Sequence, residues 1–165
     1  MPALDTVFKA YDIRGTVPDE IDEATCRAIG TAFAQFAGSR TMLVARDMRA
    51  SGVGLSRAFM EGAVSLGVDV TDLGLASTDL LYFASGRLEA PGAMFTASHN
   101  PARYNGIKMC LSGARPVGQD TGLGPIKAFA ADALAANALA ANALENGASA
   151  GAPQESLGRI EIRDM

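Results

Sequence analysis

Residues 93–111 read AMFTASHNPARYNGIKMCL. Ala93 to Ala97 is a short apolar run of strand type, and it empties into the polar loop Ser98-His99-Asn100-Pro101. Asn100-Pro101 forces a turn. Ile107-Lys108-Met109-Cys110-Leu111 then alternates as a strand does. If these two strands pair antiparallel, Ser98 at the end of one and Lys108 at the start of the next share one edge of a sheet.

Outward from this hairpin, strands and helices alternate. Val7 to Ile13 reads as a short strand running into Arg14-Gly15. Asp22 is a good N-cap for a helix whose Cys26, Ile29, Phe33 and Phe36 recur on one face, with Gly38 as its C-cap. Met42 to Ala45 is a second strand, followed directly by Arg46-Asp47-Met48-Arg49. A helix starting near Ser51 to Ser56 carries the stripe Leu55, Phe59, Ala63 and Leu66 and stops at Gly67. Val68 to Thr71 is a strand ending at Gly74, and Ser77 or Thr78 caps a short helix with Leu80, Leu81, Phe83 and Ala84. Pro125 suits the first turn of a last helix with Ile126, Phe129, Ala130, Ala133 and Leu134 on its apolar face. The alternation predicts an α/β domain of three layers, α/β/α, around a mixed, mainly parallel sheet.

Residues 1–135 form that domain in this reading. Residues 136–165 are an Ala/Asn-rich helix end and a linker, and Gly158 to Met165 returns to apolar–charged alternation as though a further element begins there. At 165 residues and 48% hydrophobic, the chain has enough apolar material for one core. Its net charge of -4, with no lysine or arginine run, argues against nucleic acid or a membrane as partner. Nothing at the start resembles a signal peptide and no apolar run reaches transmembrane length, so a cytoplasmic location is expected. Cys26 and Cys110 lack metal-ligand spacing and read as buried thiols.

Ligands of open α/β sheets bind at the carboxyl ends of the strands. Ser98, His99, Lys108, Arg46, Arg49 and Arg14 can thus converge on one anion. Each feature alone has an ordinary reading: a Ser-His dipeptide is usually a loop with local hydrogen bonds, and Arg46 to Arg49 a solvated turn with an internal ion pair. There is no Gly-x-Ser-x-Gly elbow, and Gly118 to Gly124 lacks the Gly-Lys-Ser/Thr of a P-loop.

Three stretches taken together carry more. Phe8 to Gly15 (FKAYDIRG), Arg46 to Arg49 (RDMR), and Thr96 to Pro101 (TASHNP) with Tyr104 to Lys108 (YNGIK) resemble the α-D-phosphohexomutase superfamily, in that family's order. The resemblance covers roughly Val7 to Leu134 and is greatest for the phosphomannomutase/phosphoglucomutase branch, in its N-terminal domain. The Gly-Thr-Asp-Gly-type opening of phosphoglucosamine mutases is not found.

The resemblance implies that Ser98 carries a phosphoryl group, which it gives to a hexose phosphate to make hexose 1,6-bisphosphate and then recovers from the other end of the sugar. It implies that Lys108 contacts the transferring group and shuttles a proton, and that His99 supports the loop or touches substrate. Tyr11 and Arg14 then line the cleft, and Arg46, Arg49 and Asn100 stand behind it. Mg²⁺ would meet the chain through the phosphate on Ser98, since the family's Asp-Gly-Asp-type metal loop belongs to a second domain and is not found here. Asp12 and Asp47 sit in arginine-containing turns, where ion pairing is expected rather than metal binding. The sugar-recognition loops of the later domains are not found either, so a chain ending at the first domain boundary, inactive alone and partnered by those domains, is expected. The alternatives are a standalone phosphosugar-binding or regulatory module and a phosphoglucosamine mutase domain. A small serine phosphatase would need more metal ligands.

Overall fold

The computed structural model describes residues 4–145 and 157–163. In chain order the elements are α1 (Leu4–Val7), β1 (Ile13–Thr16), α2 (Glu23–Ala37), β2 (Thr41–Arg46), α3 (Gly52–Val64), β3 (Asp69–Leu75), α4 (Thr78–Leu88), β4 (Gly92–Phe95), β5 (Tyr104–Leu111), β6 (Arg115–Pro116), α5 (Gly124–Glu145) and β7 (Ile160–Ile162). A short coiled segment, Gln119–Leu123, broken at Gly122 by a backbone of φ 155°, leads into α5.

One sheet runs β1-β5-β4-β2-β3-β7, with β6 beside β5. β4, β2, β3 and β7 are parallel neighbours, while β5 is antiparallel to β1, β4 and β6. The larger core lies between the sheet and α2, α3 and α5, and takes Met42, Val44, Ala93, Phe95, Ile107 and Met109 from the strands. The residues between them, Leu43, Ala45 and Met94, turn to the other face and meet Leu81 and Ala84 of α4. This strict alternation is what makes the domain three-layered. Each fully buried Ile or Phe contributes roughly 1.5–3 kcal/mol. Phe95 packs edge-on against Phe59 of α3, with ring centroids 5.5 Å apart, which anchors the end of β4 just below Ser98.

The expected caps form. The Asp22 carboxylate accepts from the Thr25 N–H at 2.7 Å, and the Gly38 N–H reaches Ala34 O from a left-handed backbone. The Ser77 hydroxyl accepts from the Leu80 N–H. Two expectations need correction. Val7 to Ile13 is not one strand: the Phe8 N–H bonds Leu4 O to close a helical turn, Phe8 then makes an antiparallel bridge to Ile13 with the Lys9 N–H on Asp12 O, and the strand starts only at Ile13. Val7 and Ile13 are still both buried, because the turns fold them onto the same core. The stripe of α3 stops short, since the helix ends at Val64 and Leu66 lies half-exposed beyond it. Phe83 points out of α4 and is 64% exposed.

After residue 135 the expected helix end is present, and the strand-like alternation near residue 160 joins this same sheet. α5 continues to Glu145. β7 then joins the sheet parallel to β3, with Ile160 opposite Val70. Gly158 makes this approach possible, because a Cβ there would come within 2.0 Å of Val68 O. β7 covers backbone groups that β3 would otherwise leave unpaired. Residues 146–156, in the middle of the expected linker, lie outside the described residues.

Candidate functional site

β4 delivers Ser98 to the carboxyl edge of the parallel strands. Thr96 and Ala97 are buried, and Ser98 is the first exposed residue. Its backbone is left-handed, with φ 55°, a conformation that a non-glycine residue holds only when its surroundings impose it. The surroundings are a set of local hydrogen bonds. The Ser98 N–H donates to Thr96 Oγ1 at 3.0 Å, the Asn100 N–H to Ala97 O, and the Tyr104 N–H to Pro101 O. The Ser98 hydroxyl lies 3.3 Å from Nδ1 of the exposed His99 ring.

Arg49 comes to this loop from the end of β2. Its Nη2 donates to Ser98 O and Asn100 O at 2.8 Å each, and its Nη1 to Pro101 O at 2.8 Å and Tyr104 O at 2.9 Å. Its Nε donates to Asp47 Oδ2 at 3.2 Å, and Asp47 Oδ1 accepts from the Arg49 N–H. Asn105, fully buried, donates to the Ser51 hydroxyl at 2.9 Å and accepts from the Gly106 N–H, so the far end of the loop is tied to the start of α3. Met48, Arg49, Ser51, Ser98, His99 and Arg103 line a groove of about 610 Å³. A neighbouring hollow beyond Ser51 carries Asp22 and Glu23, whose charge disfavours an anion on that side.

Lys108 is deeper than the edge. It is the fifth residue of β5 and stands opposite Met94, on the α4 face of the sheet. There its Nζ donates to Asp12 Oδ2 at 3.2 Å, and the same oxygen accepts from Arg14 Nη2. Arg14 stands opposite Gly106 in the β1–β5 ladder. A Cβ at Gly106 would lie 2.3 Å from Ile13 O and 3.0 Å from Thr96 O, so only glycine lets β1 and β4 flank β5 this closely.

The expected site residues therefore fall into groups. Ser98, His99, Asn100 and Arg49 share the groove. Lys108 and Arg14 form a second cluster with Asp12. Tyr11 is 82% exposed and borders a separate shallow depression with Pro116 and Gly118. Arg46 packs its stem against Gly52, and its guanidinium makes no hydrogen bond among the described residues. The pairing expected of Asp12 and Asp47 is observed. Asn105, Ser51 and Arg103 were not singled out. Asn105 lies within the YNGIK stretch, and Arg103 follows the Asn-Pro turn and stacks over the Tyr104 ring at 5.4 Å.

Glu20 accepts from both the Thr16 N–H, at 2.7 Å, and the Thr16 hydroxyl, at 2.8 Å. These bonds hold its carboxyl below the usual carboxylate range and fasten the end of β1. Burial pushes the thiols of Cys26 and Cys110 upward, which makes them poor nucleophiles and poor metal ligands. Among the described residues no three of His, Cys, Asp or Glu lie together. With Asp12 and Asp47 engaged by cations, the side chains present do not fit a Mg²⁺ cage, which needs oxygen ligands free to meet the ion. No helix among the described residues is long and apolar enough to cross a membrane.

A three-layer α/β/α domain with a polar serine loop at the carboxyl edge of its sheet is the class these features define. The chain belongs to the phosphoglucomutase/phosphomannomutase family, whose alpha/beta/alpha domain I model matches residues 5–136. It is 41% identical over 126 residues to a phosphomannomutase of Escherichia coli, and 44% identical over 127 residues to a protein of Xanthomonas campestris pv. campestris described as phosphohexose mutases. Each match covers 76% of this chain and 28% of the relative, so the chain spans under a third of their length. A solved structure of a phosphoglucomutase/phosphomannomutase family protein from Burkholderia thailandensis superposes with a TM-score of 0.74 at 30% identity, over 99% of this chain and 33% of that one.

Proposed function

We propose that this domain carries the phosphoryl group of a phosphohexomutase, on Ser98, in the interconversion of hexose 6-phosphate and hexose 1-phosphate through hexose 1,6-bisphosphate. The observation that carries the reading is Ser98 itself: an exposed hydroxyl at the carboxyl edge of the sheet, on a left-handed backbone, in a loop held by Arg49 and by its own backbone hydrogen bonds. The names of the relatives support the substrate class.

The transfer balances as follows. The Oγ–P bond of phosphoserine breaks and a bond from phosphorus to a sugar hydroxyl oxygen forms. The sugar hydroxyl gives up its proton, and Ser98 Oγ, leaving with the bond pair, takes one. The reverse step returns the phosphate at the other end of the sugar to Ser98. His99, 3.3 Å from Oγ, is placed to move a proton there, and the family resemblance assigns Lys108 a share in that step. Phosphoserine adds about -1.5 to -2 charge, and Lys108 and Arg14 offset it. Phosphoryl transfer asks the protein for positioning and charge stabilisation more than covalent chemistry. Mg²⁺ supplies further charge neutralisation where it is bound. Among the described residues a phosphate on Ser98 would be its point of attachment, with the remaining ligands supplied by the domains that make up the rest of the relatives' length.

The test is to incubate the complete gene product with glucose 1,6-bisphosphate and Mg²⁺ and to map phosphate by mass spectrometry. Phosphate on Ser98, and its loss together with turnover in Ser98→Ala, is expected. Phosphate on another residue, or full turnover in Ser98→Ala, overturns the reading.

A further inference from the structure

A guanidinium has five N–H donors, and in Arg49 all five are spent. Four go to backbone carbonyls, those of Ser98, Asn100, Pro101 and Tyr104. The fifth goes to Asp47, and the side chain is only 9% exposed. The loop from Ser98 to Tyr104 is thus curled round one planar cation, its carbonyls turned inward. Turning the carbonyls inward leaves the serine side chain facing out. No donor of Arg49 remains for a phosphate, and its charge is already matched by the adjacent carboxylate.

We propose that Arg49 is the positioning residue for Ser98: it fixes the loop that presents the hydroxyl, and it takes no part in binding the phosphoryl group. The proposal rests on Ser98 as the phosphoryl carrier. An arginine beside a phosphoserine would ordinarily be taken for a phosphate ligand, and the geometry points the other way. The role belongs to the fork and not to the charge. A lysine ammonium has three donors at one point, and it cannot span four carbonyls and Asp47.

The test has two arms. Hydrogen–deuterium exchange on the 165-residue chain reads the loop without reference to activity. Arg49→Lys should speed exchange in peptides covering residues 97–105, where the amides of Ser98, Asn100 and Tyr104 are hydrogen-bonded. Arg57→Lys, an exposed i,i+4 partner of Glu61 on α3, should leave that loop unchanged. In the complete gene product, Arg49→Lys should lower kcat about 100-fold through misplacement of the reacting oxygen, with KM unchanged. Unaltered exchange in the loop overturns the proposal, and so does a raised KM at wild-type kcat, the signature of a lost phosphate ligand. If Arg49→Lys does not fold, Asp47→Asn decides: it loosens only the brace on Nε, and faster loop exchange is again required. If the wild-type protein takes no phosphate on Ser98, the function falls by itself and the exchange arm judges the loop alone.

Discussion

The domain holds two charged clusters, one inside the serine loop and one deeper on the sheet, and they are built in opposite ways. The Arg49–Asp47 pair is closed: one cation, one carboxylate, every N–H matched, and side chains only 9% and 16% exposed. The Asp12–Arg14–Lys108 cluster is open: two cations share one carboxylate oxygen, and the cations are 27% and 29% exposed. Arg14 even keeps a buried Nε without a hydrogen-bond partner. A closed pair holds a shape and has nothing left to offer. An open cluster with a surplus cation has attraction to spare for an arriving anion. Donor counting thus separates the cation that builds the serine loop from the cations that keep donors to spare.

The largest expected effect belongs to the open cluster. Lys108→Met should lower turnover of the complete gene product by about 100- to 1000-fold, the usual cost of one charge-stabilising donor. Its stability should change by less than about 1 kcal/mol, because the ion pair is partly solvated. Wild-type turnover in that variant would remove the cluster from the chemistry. Residues 1–165 expressed alone, with glucose 1-phosphate, Mg²⁺ and bisphosphate in a coupled assay, should show no mutase turnover, because among the described residues nothing holds a sugar at both ends.

Gly106 stands opposite Arg14 in the β1–β5 ladder and follows Asn105, which ties the serine loop to α3. Gly106→Ala should destabilise the domain by about 1–3 kcal/mol in urea unfolding, since the added methyl meets the carbonyl oxygens of Ile13 and Thr96 rather than a movable side chain. A smaller effect is expected from Asp12→Asn, about 1 kcal/mol, because Arg14 and Lys108 can rehydrate. That variant should nevertheless gain affinity for inorganic phosphate, read as a larger phosphate-induced rise in melting temperature than in wild type. Asp47→Asn should show no such gain, since the four carbonyls still occupy Arg49. Equal gains in both variants would erase the distinction between the clusters.

Much of this was legible in the sequence wherever the cause is local. Asp22, Gly38 and Ser77 cap helices through bonds within three or four residues, and the apolar-to-polar switch at Ser98 marks the strand end. The pairing of Asp12 and Asp47 with their neighbouring arginines follows from two-residue spacing. What escaped was long-range or carried by the backbone. The four carbonyls held by Arg49 lie about fifty residues away in sequence and have no residue identity to read. β7 pairs with β3 residues ninety positions earlier, so its alternation was visible and its docking was not. At Val7, one hydrophobic residue fits a turn as well as a strand, and the bond from Phe8 to Leu4 decided between them.

The smallest expected effect concerns the edge strand that carries Arg14. Glu20 fastens the end of β1 by accepting two bonds at Thr16, and those bonds favour its ionised form. A carboxyl held low in the folded state stabilises the fold above its unfolded pKa, and that contribution disappears as pH falls through the folded value. The window for Glu20 thus opens below the ordinary glutamate pKa of about 4.3 and extends further into acid. Glu20→Gln, a poorer acceptor, should be less stable than wild type at neutral pH, and the two should converge as the pH falls toward about 3. Urea unfolding of both proteins across that range measures it, and exchange at residues 13–20 reports where the loosening occurs. The Arg49 loop is fastened by a separate set of bonds and should not follow Glu20. A stability difference that stays constant from neutral pH into acid would mean that the carboxylate of Glu20 does not hold β1, and that the edge carrying the open cluster is kept in place by the β1–β5 ladder alone.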